Sequence, residues 1–186
     1  MANPVLLLID IQNDYFPGGN MEVEGSVQAS VLAKELLAIF RKKNLPVIHI
    51  QHFSVRHGAT FLVPGTRGAD IQENVAPKEG EPIIQKNYPN SFRNTPLLDY
   101  LRGLGVRRLV IAGMMTHMCV DATTRAAFDH GFECTLVSDA CATRRLSFGG
   151  KSIPADHVHT AFLAALHGIY ATVVSTEDFV SSLSET

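Results

Sequence analysis

Short apolar runs alternate with helix-like patterns along this sequence, and that alternation limits the folds it can adopt. The run PVLLLIDIQ at 4–12 is almost continuously apolar, which is typical of a strand buried on both faces of a sheet. A helical pattern follows over 26–44, where apolar residues recur at spacings of three to five. The scheme then repeats, with strands predicted at 45–51, 81–86, 107–114, 133–138 and 170–175, and helices predicted from 94 or 95 to 103 or 105, at 117–130, at 155–167 and from 176 onward.

Six strands that alternate with helices predict an α/β fold. We expect a single domain over residues 1–186, a Rossmann-like three-layer sandwich with helices on both faces of a six-stranded parallel sheet. The expected strand order is 3-2-1-4-5-6, the common order for this architecture. The least regular stretch is 53–80, rich in glycine and proline. A loop of that length is usually functional, or it contains structure that the pattern does not reveal.

The composition excludes several classes of protein. Hydrophobic residues make up 46% of the chain and charged residues 18%, which indicates a folded core. The net charge of −2 leaves no basic surplus for nucleic acid, so nucleic acid is not expected as the main partner. The longest apolar runs, 5–9 and 109–115, are far shorter than the roughly 20 residues of a membrane helix. The N-terminus resembles no signal peptide, and three cysteines without CxxC spacing predict reduced thiols in a cytoplasmic protein.

Two reactive side chains are predicted to meet at one edge of the sheet. Ligands of such sheets bind beyond the carboxyl ends of the strands, where the strand order reverses, here between the first and fourth strands. Asp10 ends the first strand, and Cys119 lies in the first turn of the helix after the fourth. Backbone N–H groups at a helix N-terminus would lower the pKa of a thiol, and those of Met115 and Cys119 could bind an oxyanion. The pair therefore predicts nucleophilic catalysis by a cysteine.

Structural roles explain the same residue types. Free cysteines are commonly buried as packing residues, which suits Cys134 and Cys141 well. An aspartate after a buried strand often caps a turn. From position alone, a catalytic and a structural interpretation of Asp10 and Cys119 both stay open.

No motif for a cofactor is found. The turn after the first strand lacks GxGxxG, so a dinucleotide is not expected, and no GxSxG indicates a serine hydrolase. His49, His52 and His57 are grouped around the second strand, and we interpret them as structural histidines instead of metal ligands. The sequence therefore predicts neither a cofactor nor a metal.

Three segments together resemble the isochorismatase-like cysteine hydrolase family, which includes the nicotinamidases and N-carbamoylsarcosine amidohydrolases. They are DIQNDYF, a variant of D-x-Q-x-x-F with Asp10, Gln12 and Phe16; IIQKNYPNSF; and AGMMTHMCVDATTRAAFDHGF. They extend over roughly residues 5 to 145 in the family's order, so the resemblance covers most of the chain.

The resemblance implies a catalytic triad of Asp10, Lys86 and Cys119. Cys119 would be the nucleophile, Asp10 would accept its proton, and Lys86 would stabilise the thiolate or the developing charge. Lys86 enters only through this resemblance. The family also has a non-proline cis peptide before the nucleophile's loop, which would be Met114–Met115 here.

One departure from the family concerns metal binding. Metal-dependent nicotinamidases carry Asp-x-His after the second strand and a further histidine downstream. This chain has Gln51-His52-Phe53-Ser54 and then FLVPGTRG, which lacks a histidine. The resemblance therefore implies a metal-independent enzyme.

The retained thiol favours cleavage of an amide or related C–N bond of a small molecule through a thioester. Isochorismatase-type hydrolysis of a vinyl ether, which needs no thiol, is the alternative, and a non-catalytic binding or thiol-sensing protein is a third possibility. Loops after the first four strands supply the expected pocket residues, Phe16, Phe53, Tyr88, Phe92 and His117. The family also implies a homodimer or homotetramer.

Overall fold

The computed structural model describes residues 3–184. The helices and strands follow one another as β1 (Val5–Ile9), α1 (Ser26–Lys42), β2 (Val47–His52), β3 (Ile83–Lys86), α2 (Leu97–Gly103), β4 (Arg108–Met114), a π-helical turn (Thr116–Val120), α3 (Asp121–Asp129), β5 (Glu133–Ala142), β6 (Leu146–Phe148), β7 (Lys151–Ile153), α4 (Ala155–Leu166), β8 (Thr172–Val174) and α5 (Thr176–Ser184).

Six of the strands form one sheet in the order β3-β2-β1-β4-β5-β8. Every neighbouring pair in it is parallel. This confirms the predicted parallel sheet and its order, with β8 as the sixth strand. The reversal of strand order falls between β1 and β4, where a ligand is expected to bind.

Helices cover both faces of the sheet. The residues of β1 therefore alternate between two apolar cores, one on each face. Leu6 and Leu8 pack in a cluster with residues of α1 and α5, where the rings of Phe40 and Phe179 stack 6.2 Å apart. Leu7 belongs to the opposite cluster, which includes residues of α2, α3 and α4. Both faces of β1 are therefore buried, which explains its unbroken apolar run.

A small antiparallel hairpin of β6 and β7 was not predicted. Each strand has only three residues, and Phe148 at the turn is 86% exposed, so the hairpin has no apolar periodicity to indicate it. Gly149 and Gly150 form the turn with φ angles of 57° and 75°, the left-handed backbone that tight hairpin turns require.

The irregular stretch 53–80 contains two short 3₁₀ turns, Arg67–Ala69 and Glu73–Val75. Residues 70–72 run beside 11–13, where Gln72 N–H donates to the Ile11 carbonyl at 2.8 Å. The segment is therefore fastened to the chain that leaves β1. Among residues 3–184, no helix combines the length and the apolar character needed to span a bilayer.

Close backbone packing forms the edge of the sheet at the reversal point. Gly113 of β4 lies opposite Ile9 of β1, and its φ is +135°. A Cβ atom at Gly113 would lie 2.0 Å from the Ile9 carbonyl oxygen, so only glycine fits there. Asp10, the next residue after β1, has a φ of 50°, in the left-handed region that costs a residue with a side chain energy. The chain thus turns sharply where the predicted site begins.

Candidate active site

Asp10, Lys86 and Cys119 come together at the carboxyl edge of the sheet. Lys86 is the last residue of β3, and its Nζ lies 2.6 Å from Oδ2 of Asp10, with no exposed surface on either side chain. Cys119 lies in the π-helical turn after β4 and is 4% exposed. Its sulfur lies within 4.8 Å of an Asp10 carboxylate oxygen. The three side chains therefore form one buried cluster.

Lys86 is the fixed positive charge of this cluster. Burial acts to lower the pKa of its ammonium, but the charges of Asp10 and Cys119 and the hydrogen bonds to them outweigh burial and hold the pKa above its usual value. Nζ also donates to the Tyr88 carbonyl at 3.1 Å. Lys86 thus remains an ammonium in the pH range in which proteins work.

The electrostatics at Cys119 differ from the sequence-based expectation. Burial raises the pKa of the thiol well above its usual value, the Asp10 carboxylate raises it further, and Lys86 offsets only part of the shift. The N–H groups at the start of the helix were expected to lower this pKa, but desolvation is the larger effect. The resting form is therefore a thiol, and its proton must leave during the attack and not before it.

His52, the last residue of β2, also belongs to the site, although the sequence analysis interpreted it as a structural histidine. Its Nδ1 lies 2.9 Å from Lys86 Nζ and 4.0 Å from Cys119 Sγ. Because an ammonium can only donate, Nδ1 accepts the hydrogen bond and the ring proton is on Nε2. Burial, followed by the charge of Lys86, lowers the pKa of His52 to about 4, so the ring is neutral at pH 7. His52 enters the site because the strand register pairs it with Lys86, and no local sequence pattern indicates that register.

The glutamine of the D-x-Q motif holds His52 in place. Gln12 Nε2 donates to the backbone carbonyls of His52 at 2.9 Å and Ala69 at 2.7 Å, and the His52 N–H donates to Gln12 Oε1 at 2.8 Å. Gln12 is fully buried. The motif therefore supplies Asp10 to the buried cluster and Gln12 to fix the end of β2.

Asp10, His52 and Cys119 have the atom types of a metal site, with their ligand atoms all within 4.8 Å of one another. The Lys86 ammonium is already in contact with Asp10 and His52, at 2.6 and 2.9 Å. A metal cation would have to displace this buried ammonium and would be repelled by it. The donor set therefore fits a lysine-centred site better than a metal site.

The peptide between Met114 and Met115 is cis, as the family resemblance implies. The Met115 carbonyl accepts hydrogen bonds from the N–H groups of Met118 and Val120, at 3.0 and 3.3 Å, which closes the turn that carries Cys119. The backbone N–H groups of Met115 and Cys119 stay the predicted oxyanion donors.

A cavity of about 300 Å³ opens beside Cys119. It is lined by residues 54–62 and by side chains that include Tyr15, His52, Asn87, Met115 and Met118. The irregular stretch thus supplies one wall, which agrees with the functional interpretation of that loop.

The five predicted pocket residues are not among the residues that line this cavity in the described chain, 3–184. Phe16 is buried in the core, and Phe92 packs against the rings of His130 and Phe132. The Tyr88 ring lies under the Arg93 guanidinium, and the His117 ring is hydrogen bonded to Thr143. Phe53 pairs through its backbone with Lys86 and with the Asn87 side chain. These aromatic side chains leave the strand ends towards the core or a neighbouring loop.

Tyr15 occupies the place that the sequence analysis gave to Phe16. It is the fifth residue after Asp10, which is the spacing of D-x-Q-x-x-F, and it lines the cavity. Burial, followed by the charges of Cys119 and Asp10, raises the pKa of its phenol well above the usual value. Tyr15 is therefore a neutral hydroxyl at the cavity wall. Strict counting along the motif would have found it.

Asp14 fastens the cavity wall to the chain after β1. Its carboxylate accepts from Leu62 N–H at 2.6 Å and from Asn20 N–H at 3.1 Å, and it is 2% exposed. Gly68 packs so closely that a Cβ atom there would lie 2.2 Å from Asp14 Oδ1. Asp14 is therefore a structural residue, and it holds the cavity wall at 54–62 through the last residue of that wall, Leu62.

Comparison with known proteins places this arrangement in a family. The isochorismatase domain model matches residues 4–178. An uncharacterized isochorismatase family protein of Bacillus subtilis is 51% identical over 175 residues, which cover 94% of this chain and 97% of that protein. The maleamate amidohydrolase of Pseudomonas putida is 31% identical over 194 residues, which cover 97% of this chain and 86% of that enzyme.

Comparison with solved structures leads to the same family. A crystal structure from Oleispira antarctica, assigned to the isochorismatase hydrolases, superposes with a TM-score of 0.93 at 45% identity and covers 97% of each chain. The sheet order, the acid–lysine–cysteine cluster and these likenesses lead to the same assignment. The chain belongs to the isochorismatase family of hydrolases.

Proposed function

We propose that the protein is a metal-independent cysteine hydrolase that cleaves an amide or related C–N bond of a small molecule through a thioester on Cys119. The observation that carries the proposal is the buried contact of Asp10 with Lys86, at 2.6 Å, beside a thiol that faces a cavity. The maleamate amidohydrolase relative, whose name denotes amide hydrolysis, supports this reaction class.

In the first half-reaction the Cys119 sulfur attacks the carbonyl carbon of the amide, and its proton passes to Asp10. The raised pKa of the thiol requires a nearby base, and Asp10 is the carboxylate within reach. The tetrahedral intermediate carries negative charge on oxygen, which the predicted N–H donors of Met115 and Cys119 would bind. Asp10 then returns the proton to the departing nitrogen as the C–N bond breaks, which leaves the acyl group on sulfur.

In the second half-reaction water replaces the nitrogen. Asp10, now a carboxylate again, takes a proton from the water as it attacks the thioester carbonyl, and the C–S bond breaks. The thiolate that leaves recovers the proton, so the enzyme returns to its resting state with one amide and one water consumed. Lys86 keeps its charge throughout and balances that of Asp10 whenever the carboxylate is ionised.

The burial of Cys119 disfavours a role as a thiol sensor. Sensor cysteines are exposed and have a low pKa, because the thiolate is the form that reacts with peroxide. Cys119 is 4% exposed, and burial raises its pKa. The site is therefore better suited to a reaction in which the substrate itself completes the activation.

The test is a panel of primary amides and N-carbamoyl compounds, assayed by ammonia release, with isochorismate assayed in parallel. We expect ammonia from at least one amide, no turnover of isochorismate, and the same rate after treatment with EDTA. Turnover of isochorismate without any amide would replace the proposal by ether hydrolysis. A loss of amide turnover in EDTA that zinc restores would contradict the metal-independent mechanism.

A further inference from the structure

The lining of the cavity beside Cys119 carries a positive charge on an exposed side chain, that of Arg56. Among the residues of 3–184 that line the cavity, Arg56 is the single arginine or lysine, and none is an aspartate or glutamate. Deeper in the site, the Asp10 carboxylate is matched by the Lys86 ammonium at 2.6 Å. The guanidinium of Arg56 is thus the charge that this arrangement leaves without a counterpart.

The side chain of Arg56 has no internal partner in the part of the chain that the structure describes. Over residues 3–184, the ion pairs that involve an arginine join Arg41 to Glu81 and Arg125 to Asp121, and no carboxylate lies within salt-bridge distance of Arg56. A guanidinium has five N–H donors that a ligand can satisfy. An unpaired guanidinium in the wall of a cavity is available to a ligand.

The position of Arg56 is fixed by the loop that carries it. Ser54 N–H donates to the Leu62 carbonyl at 2.9 Å and closes the base of the loop, and Leu62 is itself held by Asp14. Ala59 N–H donates to the Arg56 carbonyl at 3.1 Å, which makes Arg56 the first residue of a turn. Burial and the charge of Lys86 are the main causes of the lowered pKa of His52, and the charge of Arg56 adds a smaller part, so the guanidinium lies near enough to act on the buried cluster.

We propose that Arg56 binds a carboxylate of the substrate, so that the protein acts on small amides that also carry a carboxylate group. The inference rests on the proposed amide hydrolysis at Cys119 and adds the substrate class. A planar guanidinium fits a carboxylate with two parallel hydrogen bonds. The apolar lining residues, such as Phe61 and Met118, would contact the carbon chain between the two ends of the substrate.

Succinamate and succinamide test this subsite, because they have nearly the same shape. Succinamate has a carboxylate where succinamide has a second carboxamide. Their binding is measured by calorimetry on Cys119→Ala, which cannot cleave them by the proposed route. We expect succinamate to bind about tenfold more tightly than succinamide, because Arg56 is exposed and a charged hydrogen bond there gains a moderate amount. Adding Arg56→Gln should abolish the preference.

Arg102→Gln is the matched control, because Arg102 is an exposed arginine on α2 that does not line the cavity. It should leave the tenfold preference intact. Equal binding of the two ligands, no binding of either, or a preference that survives Arg56→Gln would each overturn the inference. A carboxylate preference without amide turnover by the wild-type protein would refute the proposed function alone, and amide turnover without the preference would refute the subsite alone.

Discussion

Replacing Cys119 by alanine is expected to lower kcat for an amide substrate by about 10³-fold or more, because the variant has no atom that can form the thioester. Serine at this position should be nearly as inactive, since the buried hydroxyl is a weaker nucleophile than the thiol. The change removes one sulfur from a small side chain, so the fold should survive. Ammonia release under saturating amide gives the rate, and thermal unfolding verifies the fold.

Cys134→Ala is the matched control for this experiment. Cys134 is also buried, and burial raises its pKa to about 12, but it lies on β5 and does not line the cavity. Its replacement should leave kcat unchanged. Amide turnover that survives in Cys119→Ala would refute the nucleophile, and ether hydrolysis that survives in the same variant would favour the vinyl ether alternative.

The second large effect is expected at Lys86. Lys86→Met leaves the Asp10 carboxylate buried without its counter-charge, which typically costs about 3–5 kcal/mol in the free energy of unfolding. The variant should also lose amide turnover, because the buried carboxylate that accepts the thiol proton no longer has an ammonium to balance its charge. Denaturant titration gives the stability, and ammonia release gives the rate.

The double variant Asp10→Asn with Lys86→Met separates the effect of the pair on stability from its effect on turnover. Both charges are then absent, so most of the lost stability should return, because a buried pair contributes little beyond its own desolvation cost. Turnover should not return, since no proton acceptor is left. A single variant as stable as the wild type would contradict the buried pair, and an active double variant would contradict the role of Asp10.

Much of the fold follows from local pattern. The unbroken apolar run of β1 requires two covered faces, and its alternation with helical segments leaves a parallel sheet as the simple solution. The β6–β7 hairpin escaped prediction because its strands are exposed and only three residues long. The stretch 53–80 is organised by distant contacts, such as Asp14 with Leu62, which leave no local pattern.

Some residues of the site could also be predicted from the sequence, and others could not. Asp10 and Cys119 follow strands that flank the reversal point, so topology alone brings them together. Lys86 is on β3, two strands from β1, and reaches Asp10 through a long side chain, so only family resemblance indicated it. The contact of His52 with Lys86 depends on the register that pairs their strands, and register is a tertiary property.

The pKa of Cys119 shows where a local rule fails. A helix N-terminus lowers the pKa of a thiol when solvent or a cation can stabilise the thiolate. Here desolvation and the Asp10 carboxylate outweigh Lys86, which sequence position could not reveal. The thiol should therefore become reactive mainly when a substrate is in place and Asp10 can accept the proton.

The proposed thioester on Cys119 can be trapped and identified directly. Wild-type protein is mixed with an amide that it turns over, quenched in acid within the first turnovers, and digested for mass spectrometry. We expect an acyl group on the peptide that contains Cys119, with none on the peptides of Cys134 and Cys141. Amide turnover with no acyl group on Cys119, or with the acyl group on another residue, would contradict the proposed thioester.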